Sequence, residues 1–220
     1  MRKLLFNNKN DFGAMGIGAM IVLIAMILVA GVAATVIVTT SNTIQGQAMS
    51  TAAQTTREVS SGISVFSISG YVSGNISCMA ITVECRPGSD RIDLNNTFIL
   101  ISDGTTKAML SYDYSNSTFF NSSVTGDLFD AIDWSNLSAD KFGIGVLQDY
   151  DGSMSGQFHP ALNRGDKAVL FVHTDSGATF DSQLPTRTEV FGQVIPEIGA
   201  PGVIGFVSPM SYYDTIYVLQ

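Results

Sequence analysis

The chain has 220 residues, 45% of them hydrophobic and only 14% charged, against roughly 25% charge in ordinary soluble domains. Its net charge of −8 works against nucleic acid or an anionic lipid surface as a partner, because either would repel it. The length accommodates one domain of usual size with an extension, and Ser, Thr, Asn and Gly fill the places that charges leave, as in exported β-rich proteins.

At the N-terminus Arg2, Lys3 and Lys9, opposed only by Asp11, precede GAMGIGAMIVLIAMILVAGVAATVIV, residues 13–38, which carries no charge. Residues 17–38 are long enough to cross a hydrocarbon layer of ~30 Å as a helix. The next segment, TTSNTIQGQAMSTAAQTTREVSSG, stays uncharged to Thr56 and contains no proline. Its alanines, methionine and glutamines favour helix, and Ile37, Ile44, Ala48, Ala52 and Val59 recur at helical spacing. These features predict one helix over residues 15–60, roughly 70 Å long, loosened at Gly46 and stopped by Gly62.

Three readings of the apolar run remain open on residues alone. A secretory signal would use Val32-Ala33-Ala34 as its small-residue cut site before Thr35, but the run is overlong for one and the neutral helix continues past the cut. A permanent anchor accounts for the length and for the basic cytoplasmic start. It leaves residues 39–56 unexplained, since a helix entering water normally gains charge on its exposed faces. A subunit that waits in the membrane and then polymerises explains both, because the helix trades lipid for other helices. Small residues, among them Ala30 and Ala33, allow close approach, and Thr35, Thr39, Thr40 and Thr43 can bond carbonyls one turn back.

Beyond Gly62 the pattern turns to short β-branched and aromatic runs: ISCMAITVEC, NTFILIS, KAMLSY, GIGVLQ, KAVLFVHT, TEVFGQVI and DTIYVLQ. RPGSD, SDGTT, DYDGS and NRGDK between them are turn chemistry, and DLFDAIDW suits a short helical turn. The whole predicts an α+β chain, a long N-terminal α-helix followed by an antiparallel immunoglobulin-like β-sandwich. Cys78 and Cys85 fall in one such strand. Seven steps of ~3.3 Å separate them by about 23 Å, far beyond bridging distance, and an odd spacing points them to opposite faces, so two free thiols are expected.

GAMGIGAMIVLIAMILVAGVAA, residues 13–34, resembles the N-terminus of archaeal flagellins (archaellins), members of the type IV pilin-like filament superfamily. The likeness continues to Gly62 and, more thinly, through RPGSDRIDLNNTFILISDG, LNRGDKAVLFV and SYYDTIYVLQ. The resemblance implies residues 1–13 as a leader, 14–61 as the assembly helix and 62–220 as the outer β-sandwich. It implies a cut between Gly13 and Ala14 by a membrane aspartyl peptidase, with Gly16 at the third mature position. The family usually has Lys or Arg just before that glycine, where this chain has Asp11 and Phe12. Gly18 stands at the fifth mature position, where bacterial type IV pilins carry glutamate. The implied assembly helix runs through Ile17, Gly18, Ile21, Ile24, Ala25, Leu28, Gly31, Ala34 and Ile37.

The same resemblance implies a non-catalytic subunit, held first in the cytoplasmic membrane. It polymerises with itself or sibling archaellins into the extracellular filament that a basal motor and platform spin for swimming. An adhesive archaeal pilin, or a membrane-anchored or secreted β-sandwich binding protein, are the alternatives.

Five N-x-[ST] sequons, at Asn75, Asn95, Asn116, Asn121 and Asn136, are candidate acceptors of N-linked glycans. Asn116 and Asn121, in a loop-like stretch, are the favoured pair. Arg164-Gly165-Asp166 spells an adhesion tripeptide but reads as a plain turn before a strand. Residues 149–153, DYDGS, open like a calcium loop, yet Pro160 stands where the closing glutamate belongs. His159 and His173 have no ligand-spaced neighbours, Gly16-Ile17-Gly18 lacks the rest of a nucleotide fingerprint, and no GxSxG elbow is present. No catalytic residue, metal or cofactor is expected. Phe129, Trp134 and Phe142 are expected in the core.

Overall fold

A computed structural model describes residues 10–113, 118–121, 126–138, 140–174, 179–180 and 183–220. The chain divides into two compact units, one ending at Ala53 and one running from Gln54 to Gln220. Helix α1 spans Asn10–Ser60. It starts before Gly13, leaves Ser61 outside, and runs through Gly46 without a break, so the predicted loosening is absent. Helix formers flank that glycine on both sides, and one residue's propensity deficit of about 1 kcal/mol does not interrupt them. Thr35 donates its hydroxyl to Val32 O at 2.8 Å, Thr39 to Thr35 O at 3.0 Å and Thr43 to Thr39 O at 2.9 Å. These three threonines thus bond within their own helix.

The helix ends where Ser61 N bonds Arg57 O at 2.8 Å. Gly62 is not a left-handed cap; it forms a parallel bridge to Ala200. A Cβ added there would lie 2.7 Å from Ala200 O, so its want of a side chain, rather than its backbone freedom, is what the position uses.

The second unit contains strands β1 (Ile63–Ser73), β2 (Asn75–Cys85), β3 (Ile92–Asp93), β4 (Phe98–Ser102), β5 (Lys107–Tyr112), β6 (Phe119–Phe120), β7 (Lys141–Gln148), β8 (Ala161–Leu162), β9 (Lys167–His173), β10 (Glu189–Ile195), β11 (Gly202–Val207) and β12 (Ile216–Val218). The main sheet has the order β11-β10-β4-β5-β7-β9-β2-β1-β12, with β6 attached to β7 and β3 paired separately with β8. Its ladders are antiparallel except β5–β7 and β6–β7, which are short and parallel.

The sheet folds over at the β5–β7 junction. Ile68 and Ile81 from β1 and β2 share one buried cluster with Ile99, Val190 and Ile204 from β4, β10 and β11. Two layers around one core make a β-sandwich, as expected, but its layers stay joined through the β5–β7 ladder. All seven predicted runs are strands; β1, β11 and the two-residue strands went unread.

A second cluster lies on the other side of the β7-β9-β2 layer, where Phe129 and Ile132 cover Cys78, Ala80, Val169 and Phe171. The predicted helical turn becomes two 3-10 turns, Leu128–Asp130 and Trp134–Asn136. Asp127 and Asp133 cap them by accepting from Phe129 N and Ser135 N. Trp134 is half-buried, donating its indole N–H to Phe129 O at 2.7 Å and packing edge-on against Phe171. Gly143 on β7 makes room for this cover, since a Cβ there would sit 2.5 Å from Ile132 Cδ1 and 2.8 Å from Thr118 O. Cys78 belongs to the outer cluster, while Cys85 packs against the inner core. Both are free thiols, as predicted.

Candidate functional site

The feature that distinguishes this chain is the surface of α1 between Met15 and Val38. Its large apolar side chains are between 55% and 74% exposed, and Gly13–Ser60 is long and apolar enough to cross a membrane. Ile17, Ile21, Ile24, Leu28 and Gly31 follow one line along the helix at spacings of four and three; Ala25 and Ala34 flank it, and Ile37, half a turn round from Leu28, faces the opposite side. Gly31 on that line and Gly18 to its side lower the helix surface locally, and no atom lies within 4 Å of a Cβ built at either. Met20, Val22, Leu23, Ile27, Val29 and Val32 are just as bare. The apolar surface therefore runs all round the helix and does not form a single stripe.

Charge returns only at Arg57 and Glu58. Arg57 meets Asp90 at 3.7 Å with both side chains largely exposed, a pairing worth little in water. Gly13, Ala14 and Gly16 lie inside the helix. A peptidase needs an extended substrate, so cutting there requires the first turns to unwind. Residues 1–9 lie outside the described part.

Asp149, Asp151 and Asp166 place one carboxylate oxygen each within 4.8 Å of one another. N–H donors already engage them. Asp149 accepts from Gly152 N, Ser153 N and Met154 N, and Asp166 from Tyr150 N and Asn163 N. Asp151 accepts from Ser153 N and Asn163 Nδ2 at 3.0 and 2.7 Å. These bonds, the Ser153 ones foremost, hold the Asp151 carboxyl below the usual aspartate range. The cluster staples two loops together. Asp166 is buried, so the Arg164-Gly165-Asp166 tripeptide is a turn and not a displayed ligand. His159 pairs with Asp93 at 3.1 Å, and His173 lies against the Trp134 ring. Phe142 is fully buried and Phe129 nearly so.

The sequons differ in setting. At Asn95 the required Thr97 is fully buried and donates to Asp93 O; at Asn75 the required Ser77 is buried. Asn136 and its Ser138 are both exposed. Asn121 is exposed, its amide donating to Ser155 O at 2.9 Å. Asn116 lies outside the described residues.

The family description "archaeal-type flagellin" matches residues 13–206. The chain belongs to the archaeal-type flagellins. Flagellin B3 of Methanocaldococcus jannaschii is 41% identical over 216 residues, spanning 96% of this chain and 97% of its own. Flagellin B4 of Pyrococcus abyssi is 42% identical over 219 residues, with 94% and 98% covered. The crystal structure of flagellin FlaB1 from M. jannaschii, 35% identical, superposes with a TM-score of 0.65 over 73% of this chain and 97% of that one. The flagellum of Methanospirillum hungatei, at 15% identity, shares the fold with a TM-score of 0.62 over 93% and 99%.

This flagellin is a structural subunit of the extracellular archaellum filament that serves motility, and the family is a structural one. The adhesive pilin and the anchored binding module give way to that membership.

Proposed function

We propose that residues 1–13 are a leader, removed between Gly13 and Ala14 on the cytoplasmic side by a membrane aspartyl peptidase. The assembly segment, residues 14–61, then leaves the bilayer to pack among copies of itself, or of sibling flagellins, in the filament core. The β-sandwich, residues 62–220, forms the outer layer, and motor and platform proteins at the base turn the whole. The observation that carries this reading is the uncharged apolar circumference of α1. Fifteen large apolar side chains from Met15 to Val38 stand more than half exposed. Immersing them in water would cost on the order of 15–30 kcal/mol per subunit. Only a bilayer or other apolar helices remove that cost on every side at once. The threonine back-bonds support it too, because hydroxyls satisfied within the helix need no partner outside it. The family match opening at residue 13 favours Gly13 as the last leader residue.

N-linked glycans are assigned to the outer unit, with Asn121 and Asn136 the acceptors best supported by exposure. Intact mass of subunits sheared from cells tests the reading. A mature chain starting at Ala14 is expected. A start at Thr35 would point to ordinary secretion, and retention of Met1 to a permanent anchor; either result overturns the proposal.

A further inference from the structure

One apolar face of the sandwich has no cover among the described residues. The outward positions of β11, β10, β4 and β5 place Val203 beside Gln193, Gln193 beside Leu100 and Leu100 beside Met109. Around them Phe98, Met109, Phe191, Val203 and Val207 are between 41% and 62% exposed. Antiparallel sheets that face water carry polar residues on the wet side, yet here the only charges at outward positions are Lys107 and Glu189. The opposite layer treats its outer apolar face differently, laying Phe129 and Ile132 across it.

We propose that this face docks against a neighbouring copy of the same chain in the filament. The inference rests on the chain being a filament subunit. Two observations, the size of the patch and its lack of charge, favour a copy over any other occupant. The exposed side chains amount to an apolar patch on the order of 500 Å², in the range of functional patches. That is less than the ~800 Å² per partner of a free-standing complex. Such a surface holds a partner only when something else already keeps the partner close, which polymerised helices do. The chain carries −8 overall, so like copies approach best through a face nearly free of charge.

Strand addition at the β11 edge, the other way to use this side of the sheet, is blocked. Gln220 accepts from Gly205 N at 2.9 Å and donates to Val203 O at 3.3 Å. Docking is therefore face-on. In a helical polymer the contact is head-to-tail, so the mating surface on the neighbour is a different patch.

The test uses Val203→Cys and, separately, Met109→Cys in the full chain, with the native chain as background for Cys78 and Cys85. Maleimide labelling is timed on cell-attached filaments, on purified filaments, and on detergent-dispersed subunits from the same preparation. Labelling at least ten-fold slower in purified filaments than in dispersed subunits is the expected result. Equal rates in filaments of normal length would mean a bare face and overturn the proposal. Protection on cells that vanishes on purification would assign the face to another partner and also overturn it. Failure of the native chain to form filaments would instead strike the filament reading itself.

Discussion

Ala34→Glu is the substitution that most directly interrogates the bare helix. Ala34 lies four residues from Val38, about 6 Å from the outer end of the apolar span, so membrane insertion is largely spared. In a packed core the new carboxyl has no cation to meet, since no charge occurs between Phe12 and Thr56. Its least costly escape is to take up a proton. From an ordinary glutamate value of about 4.3, protonation at pH 7 costs about 3.7 kcal/mol, a roughly 500-fold rise in the subunit concentration left unpolymerised. At pH 5 the same route costs about 1 kcal/mol, and most of the defect disappears. Sedimentation of reassembled filaments, with the free subunit measured in the supernatant at both pH values, reads this directly. An Ala34→Gln control carries no such pH dependence. Equal supernatant levels for native and Ala34→Glu chains at pH 7 would refute burial of the helix surface.

Gly143→Ala pushes a methyl group to within 2.5 Å of Ile132 Cδ1 and 2.8 Å of Thr118 O, and should destabilise the sandwich by about 1–3 kcal/mol in urea unfolding; an unchanged midpoint would count against the close packing of the outer cluster. For Asp103, burial opposes ionisation, but Thr105 and Thr106 each donate a backbone N–H and a hydroxyl to it, and the balance lowers its carboxyl. A lowered folded value means stabilisation that is complete above the ordinary aspartate value of about 3.9 and fades as pH falls through the folded one. Asp103→Asn should therefore weaken the sandwich at pH 7 and flatten the loss of stability in acid, which a pH series of thermal melts would follow. Asn136→Gln should remove one glycan mass from the intact subunit, whereas Asn95→Gln should leave the mass pattern otherwise unchanged.

The helix was legible because its signal is composition sustained over many residues, which no tertiary contact needs to override. The seven runs with β-branched or aromatic centres and flanking turns were equally readable. β1 escaped because serine alternates through ISVFSISGYVS and dilutes the apolar pattern. β11 escaped because GVIGFV has glycine at two of its six places. Yet GVIGFV held the clue to the docking face: apolar residues at both parities mean that both sides of a strand require cover. The β5–β7 junction depends on two residue pairs brought together across a long connection, and no local pattern encodes such a contact. Gly62 was read as a stop from its residue type, whereas only the three-dimensional approach of Ala200 reveals why glycine stands there. The sequons were found by pattern alone, but ranking Asn136 above Asn95 required knowing that Thr97 is buried.

The hydroxyls of Thr35 and Thr39 are spent on their own helix, which leaves residues 13–39 with no polar handshake to offer any particular neighbour. Fit along that stretch is decided by bumps and hollows, and sibling chains sharing that relief exchange there at small cost. In the proposed filament, discrimination between siblings and the choice among nearly equal registers therefore fall to the polar half of the helix, with Asn42, Gln45 and Gln47, and to the outer domains. The apolar stretch supplies grip without a password.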